Sequence, residues 1–189
     1  LPEFEKNLVG KKVTFIPTAS IVEQVAFFVE SGKKALEELG LIVDELELST
    51  ATAEEIESKI TNNDIIYVTG GNTFFLLQEM IRTGADKLVI NEVNSGKLYI
   101  GESAGAMILA PNIEYAKDMD DHLTQTPDFT DFKGLGIVEF YPVVHFNSFP
   151  FEEAAQKVVH KNSHLPLEII TNQQAIVVVG NSIVIKERK

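Results

Sequence analysis

The chain has 189 residues, 44% of them hydrophobic, and carries a net charge of −12 at neutral pH. That length predicts one domain, 1–189, with a proper core (an α/β one by the alternation of strands and helices described below), and the acidic balance disfavours nucleic acid or an anionic membrane as a partner. Cysteine is absent, so disulfides, thiol nucleophiles and thiolate metal sites are excluded; no apolar run reaches membrane-spanning length and no signal peptide opens the chain, which makes it an expected cytoplasmic protein.

Strands and helices alternate along the first half. Pro2 to Val9 reads as a short helix stopped by Gly10, and Lys12 to Pro17 as a strand. Val22 to Leu39 places Val25, Phe28, Val29, Leu36 and Leu39 at helical spacing, with Gly40 as the stop. Ile42 to Leu48 alternates like a half-exposed strand. Thr50 or Thr52 can cap a helix from Ala53 to about Asn62, whose first turn carries Glu54 and Glu55. Asp64 to Val68 is a third strand, ending in the turn Thr69-Gly70-Gly71-Asn72-Thr73. Helices over Phe74 to Thr83 and Ala85 to Asn94 follow, each closed by a glycine. Strands joined through helices predict right-handed crossovers and a mostly parallel sheet covered on both faces, with the site beyond the carboxyl ends of the strands.

The second half is less regular. Asn112 to Lys133 is polar, with Asp118, Asp120, Asp121 and His122, and reads as a long loop. Gly136 to Phe146 is expected to be a strand with His145 near its end, and Phe151 to about His160 a helix. Leu167 to Thr171 and Ala175 to Val179 are strands, the latter turning at Gly180-Asn181 into Ser182 to Lys186 as an antiparallel hairpin at one sheet edge.

The stretch that carries chemistry is KLYIGESAGAMILAP, Lys97 to Pro111. A short strand at Leu98 to Ile100 breaks into Gly101-Glu102-Ser103-Ala104-Gly105, and a compact helix-favouring run follows until Pro111. G-x-S-x-G should occur by chance in about 6% of chains of this length. Strand before and helix after make it a nucleophile elbow, a turn so sharp that the flanking residues must be small. Ser103 then stands at the amino end of a helix, where free N–H groups can receive an oxyanion.

A serine needs a base. His122, His160 and His164 lie in polar surroundings, whereas His145 ends an apolar strand, after Val143-Val144. Asp118, Asp120 and Asp121 are candidate carboxylates. Gly70 and Gly71 let the backbone approach a ligand closely, so that their amides could join that of Ala104 in an oxyanion hole. The plainer reading of Gly70-Gly71 is a strand-to-helix turn capped by Asn72 or Thr73.

YVTGGNTFFLL followed by LYIGESAGAMILAP resembles the peptidase E and cyanophycinase family of serine peptidases. The resemblance implies a fold similar to class I glutamine amidotransferases, with Ser103 as nucleophile and His145 as base. It also implies an acid shortly after the nucleophile, which Asp118 matches. A second view of the family places that acid late, where this chain has Asn172-Gln173-Gln174 and no carboxylate; a neutral amide can orient a catalytic histidine. Peptidase E, which releases N-terminal aspartate from dipeptides, has arginines after its histidine. This chain has FNSFPFEEAAQKVVHK there, and Arg82 and Lys117 are the cations considered elsewhere. Peptides with neutral or basic first residues are therefore expected to be cleaved at least as well as aspartyl ones. Such proteins begin with one strand more than is visible here, and with Leu1 in place of Met that strand is expected to be missing. The expected function is a dipeptidase-like serine peptidase acting on short peptides as a monomer or homodimer, with no cofactor and no metal. The alternative is a catalytically silent relative that binds a small ligand or self-associates. An α/β-hydrolase esterase is disfavoured by the short chain and the GGNT turn.

Overall fold

A computed structural model of the protein describes residues 7–187. The central sheet is parallel, in the order β2-β1-β3-β4, built from β1 (Lys12–Ile16), β2 (Ile42–Glu45), β3 (Ile65–Val68) and β4 (Leu98–Gly101). Alternation along the strands divides the side chains between two cores. Val13, Phe15, Ile65 and Ile100 face the layer holding α1 (Phe27–Glu38), where Leu36 is buried. Ile16, Ile66 and Val68 face the larger core, which takes in Ile56 and Ile60 of α2 (Ala53–Asn62), Leu77 and Met80 of α3 (Thr73–Thr83) and Val89 of α4 (Ala85–Asn94). Both sheet faces are thus covered, as near-continuous apolar strands require.

The helix boundaries follow local chemistry. Thr52 Oγ1 accepts the Glu55 N–H at 3.2 Å and starts α2. Gly84, at φ 76°, ends α3 and opens α4 in a single residue. α1 begins at Phe27 rather than Val22, and Val25, expected on its buried face, is exposed. Of the expected Pro2–Val9 helix, residues 2–6 lie outside the described residues, and residues 7–9 are not helical.

The second half departs further from the sequence reading. The polar loop is interrupted by a 3₁₀ turn at Glu114–Asp118 and by a one-turn helix, α6 (His122–Gln125). The expected strand from Gly136 shrinks to β5 (Tyr141–Val143). Its first part spends its backbone groups elsewhere: the amides of Leu135, Gly136 and Ile137 donate to the carbonyls of Ile108, Ala110 and Leu109 at 2.8–3.1 Å. Those carbonyls lie just past α5 (Ala104–Met107), where a helix leaves its acceptors open. β5 pairs in parallel with β6 (Leu167–Ile169), and α7 (Glu152–Lys161) joins them. The hairpin β7 (Gln174–Val179) and β8 (Ser182–Glu187) is antiparallel as expected, but it forms a two-stranded sheet of its own rather than an edge of the central one. Among the described residues, no helix is long and apolar enough to cross a membrane.

Candidate active site

β4 stops at Gly101, and the Glu102 N–H makes one last strand-like bond to the Val68 carbonyl, 2.9 Å. The chain then reverses at Ser103, whose φ of 48° and ψ of −110° are strained for a residue with a side chain. The G-x-S-x-G pattern has a steric cause. A Cβ on Gly101 would stand 2.4 Å from the Gly105 carbonyl oxygen, and one on Gly105 would stand 2.3 Å from that of Val68. With α5 following directly, the hydroxyl sits at the carboxyl end of the sheet.

His145 lies two residues past β5, at φ 60°, with its ring stacked on Phe151 at 4.8 Å. Its Nε2 is 2.8 Å from Ser103 Oγ, and its Nδ1 is 2.6 Å from Asn172 Oδ1. The parallel register explains the second contact. Val143 pairs with Ile169, the Phe146 N–H donates to the Ile170 carbonyl at 3.0 Å, and the Asn172 N–H donates to Ser148 Oγ at 3.3 Å. An amide oxygen only accepts, so Nδ1 carries the proton and Nε2 is left to accept from the serine hydroxyl.

The Gly70-Gly71 turn follows β3, the direct neighbour of β4. A Cβ on Gly70 would be 3.1 Å from Ser103 Cβ, so the turn borders Ser103. Gly71 has φ 132°, and a Cβ there would be 2.2 Å from the Ala19 carbonyl oxygen. The turn is held on several sides. The Asn72 N–H donates to Ala19 O at 2.8 Å, Asn72 Oδ1 caps α3 through the amides of Phe74 and Phe75, and Asn72 Nδ2 donates to the Asp121 carbonyl at 3.1 Å. Among the described residues, no protein acceptor is bonded to the N–H of Ala104 or of Gly71.

The Peptidase family S51 model matches residues 1–186. The chain belongs to this family. An uncharacterized peptidase of Listeria monocytogenes is 52% identical over 185 residues, covering 97% of this chain and 90% of that one. A peptidase E of Salmonella arizonae is 33% identical over 152 residues, or 79% of this chain and 62% of the relative. A crystal structure of a Listeria monocytogenes protein provisionally assigned as a peptidase E superposes with a TM-score of 0.94 at 52% identity, covering all of this chain and 91% of that one. Membership makes the chain a peptidase of α/β fold.

Within this S51 peptidase, the carboxylates named from the sequence lie apart from His145 Nδ1. Asp118 Oδ1 is paired with Lys161 Nζ at 2.7 Å, and the place on Nδ1 is taken by Asn172. Asp121 caps α6 through the Thr124 N–H at 3.0 Å. Asp120 accepts the Thr73 N–H at 2.9 Å from the first turn of α3. Enclosure of its carboxyl end raises its pKa to about 6, with the Thr73 hydrogen bond acting in the opposite direction. Neither cation considered from the sequence is free. Arg82 holds Glu79 at 2.6 Å, and Lys117 pairs with Glu114 at 2.7 Å while lying over the Phe132 ring.

Glu102 is the residue of this S51 peptidase that sequence reasoning passed over. Its Oε2 accepts from Tyr67 Oη at 3.0 Å. Burial raises its pKa, against the lowering effects of the Tyr67 hydroxyl, the nearby His145 and the Gly70 N–H. The one signal in the sequence was its place inside the G-x-S-x-G turn, where a charged residue borders Ser103.

Proposed function

We propose that this S51 peptidase is serine-type and hydrolyses short peptides, dipeptides among them, through an acyl-enzyme on Ser103. The observation that carries this reading is the 2.8 Å approach of His145 Nε2 to Ser103 Oγ, with His145 Nδ1 engaged by Asn172. His145 takes the serine proton as Oγ attacks the peptide carbonyl, forming a tetrahedral intermediate. The developing oxyanion is received by the Ala104 N–H at the start of α5 and by an amide of the Gly70-Gly71 turn. His145 then gives its proton to the leaving amine, the C–N bond breaks, and water enters by the same route in reverse to release the acid. Asn172 stands in the role expected of Asp118: it fixes the imidazole tautomer but brings no negative charge to offset the imidazolium. The stacking of the His145 ring on Phe151 supplies further orientation.

A fluorophosphonate probe tests this directly. The protein should be labelled at Ser103, Ser103→Ala should abolish labelling, and peptide turnover should fall in that variant by on the order of 10⁶. An unlabelled wild-type protein would leave only the ligand-binding alternative, and undiminished hydrolysis by Ser103→Ala would place the nucleophile elsewhere.

A further inference from the structure

Glu102 is a half-buried carboxylate beside the nucleophile, and no lysine or arginine is among the groups acting on it. Tyr67 pairs with Ile100 across β3 and β4, so alternation places Ile100, Glu102 and Tyr67 on the same face of the sheet. The Tyr67 ring is stacked on Phe15 at 5.2 Å, and its hydroxyl lies so close to α1 that a Cβ on Gly32 would be 3.0 Å from it. The tyrosine is thus fixed from behind, and it fixes the carboxylate in turn at 3.0 Å. The Phe28 ring closes the same side, at 3.8 Å from where a Cβ on Gly70 would lie. Enclosing a carboxylate without a cation is costly, and the cost is relieved when a ligand supplies the missing positive charge. Such groups concentrate at functional sites.

The geometry of attack says which cation that is. When Ser103 Oγ reaches a peptide carbonyl carbon, the nitrogen on the adjoining Cα lies about 2.5 Å from that carbon. It must therefore fall among the groups that flank Ser103. In an internal residue that nitrogen is a neutral amide; at a free amino terminus it is an ammonium.

We propose that the Glu102 carboxylate, braced by Tyr67, is the subsite for the free α-ammonium of the residue whose carbonyl Ser103 attacks. The substrates are then peptides with an unblocked amino terminus, losing one residue per turnover, and blocked or internal bonds are excluded. This rests on the serine-peptidase reading above.

The test uses protection of Ser103 from the fluorophosphonate by Ala-Leu, Lys-Leu and Asp-Leu, each with a free and with an N-acetylated amine. For at least one first residue, the free-amine form should protect the wild-type protein at concentrations about 10- to 100-fold lower than its acetylated form, the range of one charge-assisted hydrogen bond. Glu102→Gln, which keeps an acceptor for Tyr67 but no charge, should narrow that gap to about twofold, and Tyr67→Phe should narrow it in part. Equal protection by free and acetylated forms in the wild type overturns the proposal, as does a gap that survives Glu102→Gln. Failure of the wild-type protein to label at all would be a different result: it removes the serine chemistry, and the subsite with it.

Discussion

The Nδ1 atom of His145 lies 2.6 Å from the side-chain oxygen of Asn172, a residue 27 positions later in the chain and exposed at the surface. Two backbone-anchored loops meet there, one following β5 and the other following β6. The pairing Tyr141↔Leu167, Pro142↔Glu168, Val143↔Ile169 sets their register. A neutral amide at this position orients the ring without the charge that a carboxylate would add.

Asn172→Ala is expected to lower kcat by about 10²–10³, less than the loss from removing a charged triad member. Asn172→Asp, which keeps the acceptor, should recover most of that loss. Asp118→Asn should change kcat/KM by no more than about threefold, since the partly exposed pair with Lys161 is worth at most about 1 kcal/mol and the contact on His145 Nδ1 is made by Asn172. Steady-state kinetics on one cleaved dipeptide decides between them. A larger loss in Asp118→Asn than in Asn172→Ala would return the role to the aspartate.

Gly71→Ala should disturb both fold and turnover. The added methyl would meet the Ala19 carbonyl oxygen at 2.2 Å, at a φ of 132° that alanine resists. A stability loss of about 1–3 kcal/mol is expected from the strain alone. If the turn supplies an oxyanion donor, kcat should drop a further 10²–10³ or thereabouts, with KM little changed. Denaturant melts and kinetics, run well below the unfolding transition, separate the two effects. Native kcat in a folded Gly71→Ala protein would remove this turn from the oxyanion hole.

Asp120 should make stability depend on pH. In the folded protein its pKa is raised to about 6 by burial, whereas an unfolded carboxyl titrates near 3.8. Between those values the native protein holds a proton that the unfolded chain has released. The contribution of this group is therefore complete below pH 3.8 and is lost as pH rises through 6. Asp120→Asn, which keeps an acceptor for the Thr73 amide, should gain on the wild type by on the order of 2 kcal/mol between pH 4 and pH 7.5. Urea unfolding of both proteins at the two pH values measures it. A difference that does not vary with pH would mean that Asp120 titrates normally.

What the sequence determined was the part governed by local rules. The strand-turn-helix at Ser103 was legible because a reversal that tight admits only small neighbours, and Gly101 and Gly105 have carbonyl oxygens where a Cβ would be. The first four strands and the helices α2 to α4 were legible from periodicity, caps and glycine stops within a few residues of one another. The choice of His145 over the three other histidines came from its apolar flank, and the position of the strand before it needed correction. There Leu135, Gly136 and Ile137 bond to carbonyls at the end of α5, a long-range competition that no local pattern shows. The hairpin was recognisable from Gly180-Asn181, but whether it joins the central sheet depends on distant partners. The tertiary structure alone decided which side chain meets His145 Nδ1. Asp118 is near Ser103 in sequence and faces Lys161; Asn172 is remote in sequence and is carried to the ring by parallel pairing of β5 with β6. The significance of Glu102 also waited for the fold, because only the stacking of Tyr67 between Phe15, α1 and the elbow shows that its carboxylate is held beside Ser103 with no lysine or arginine acting on it.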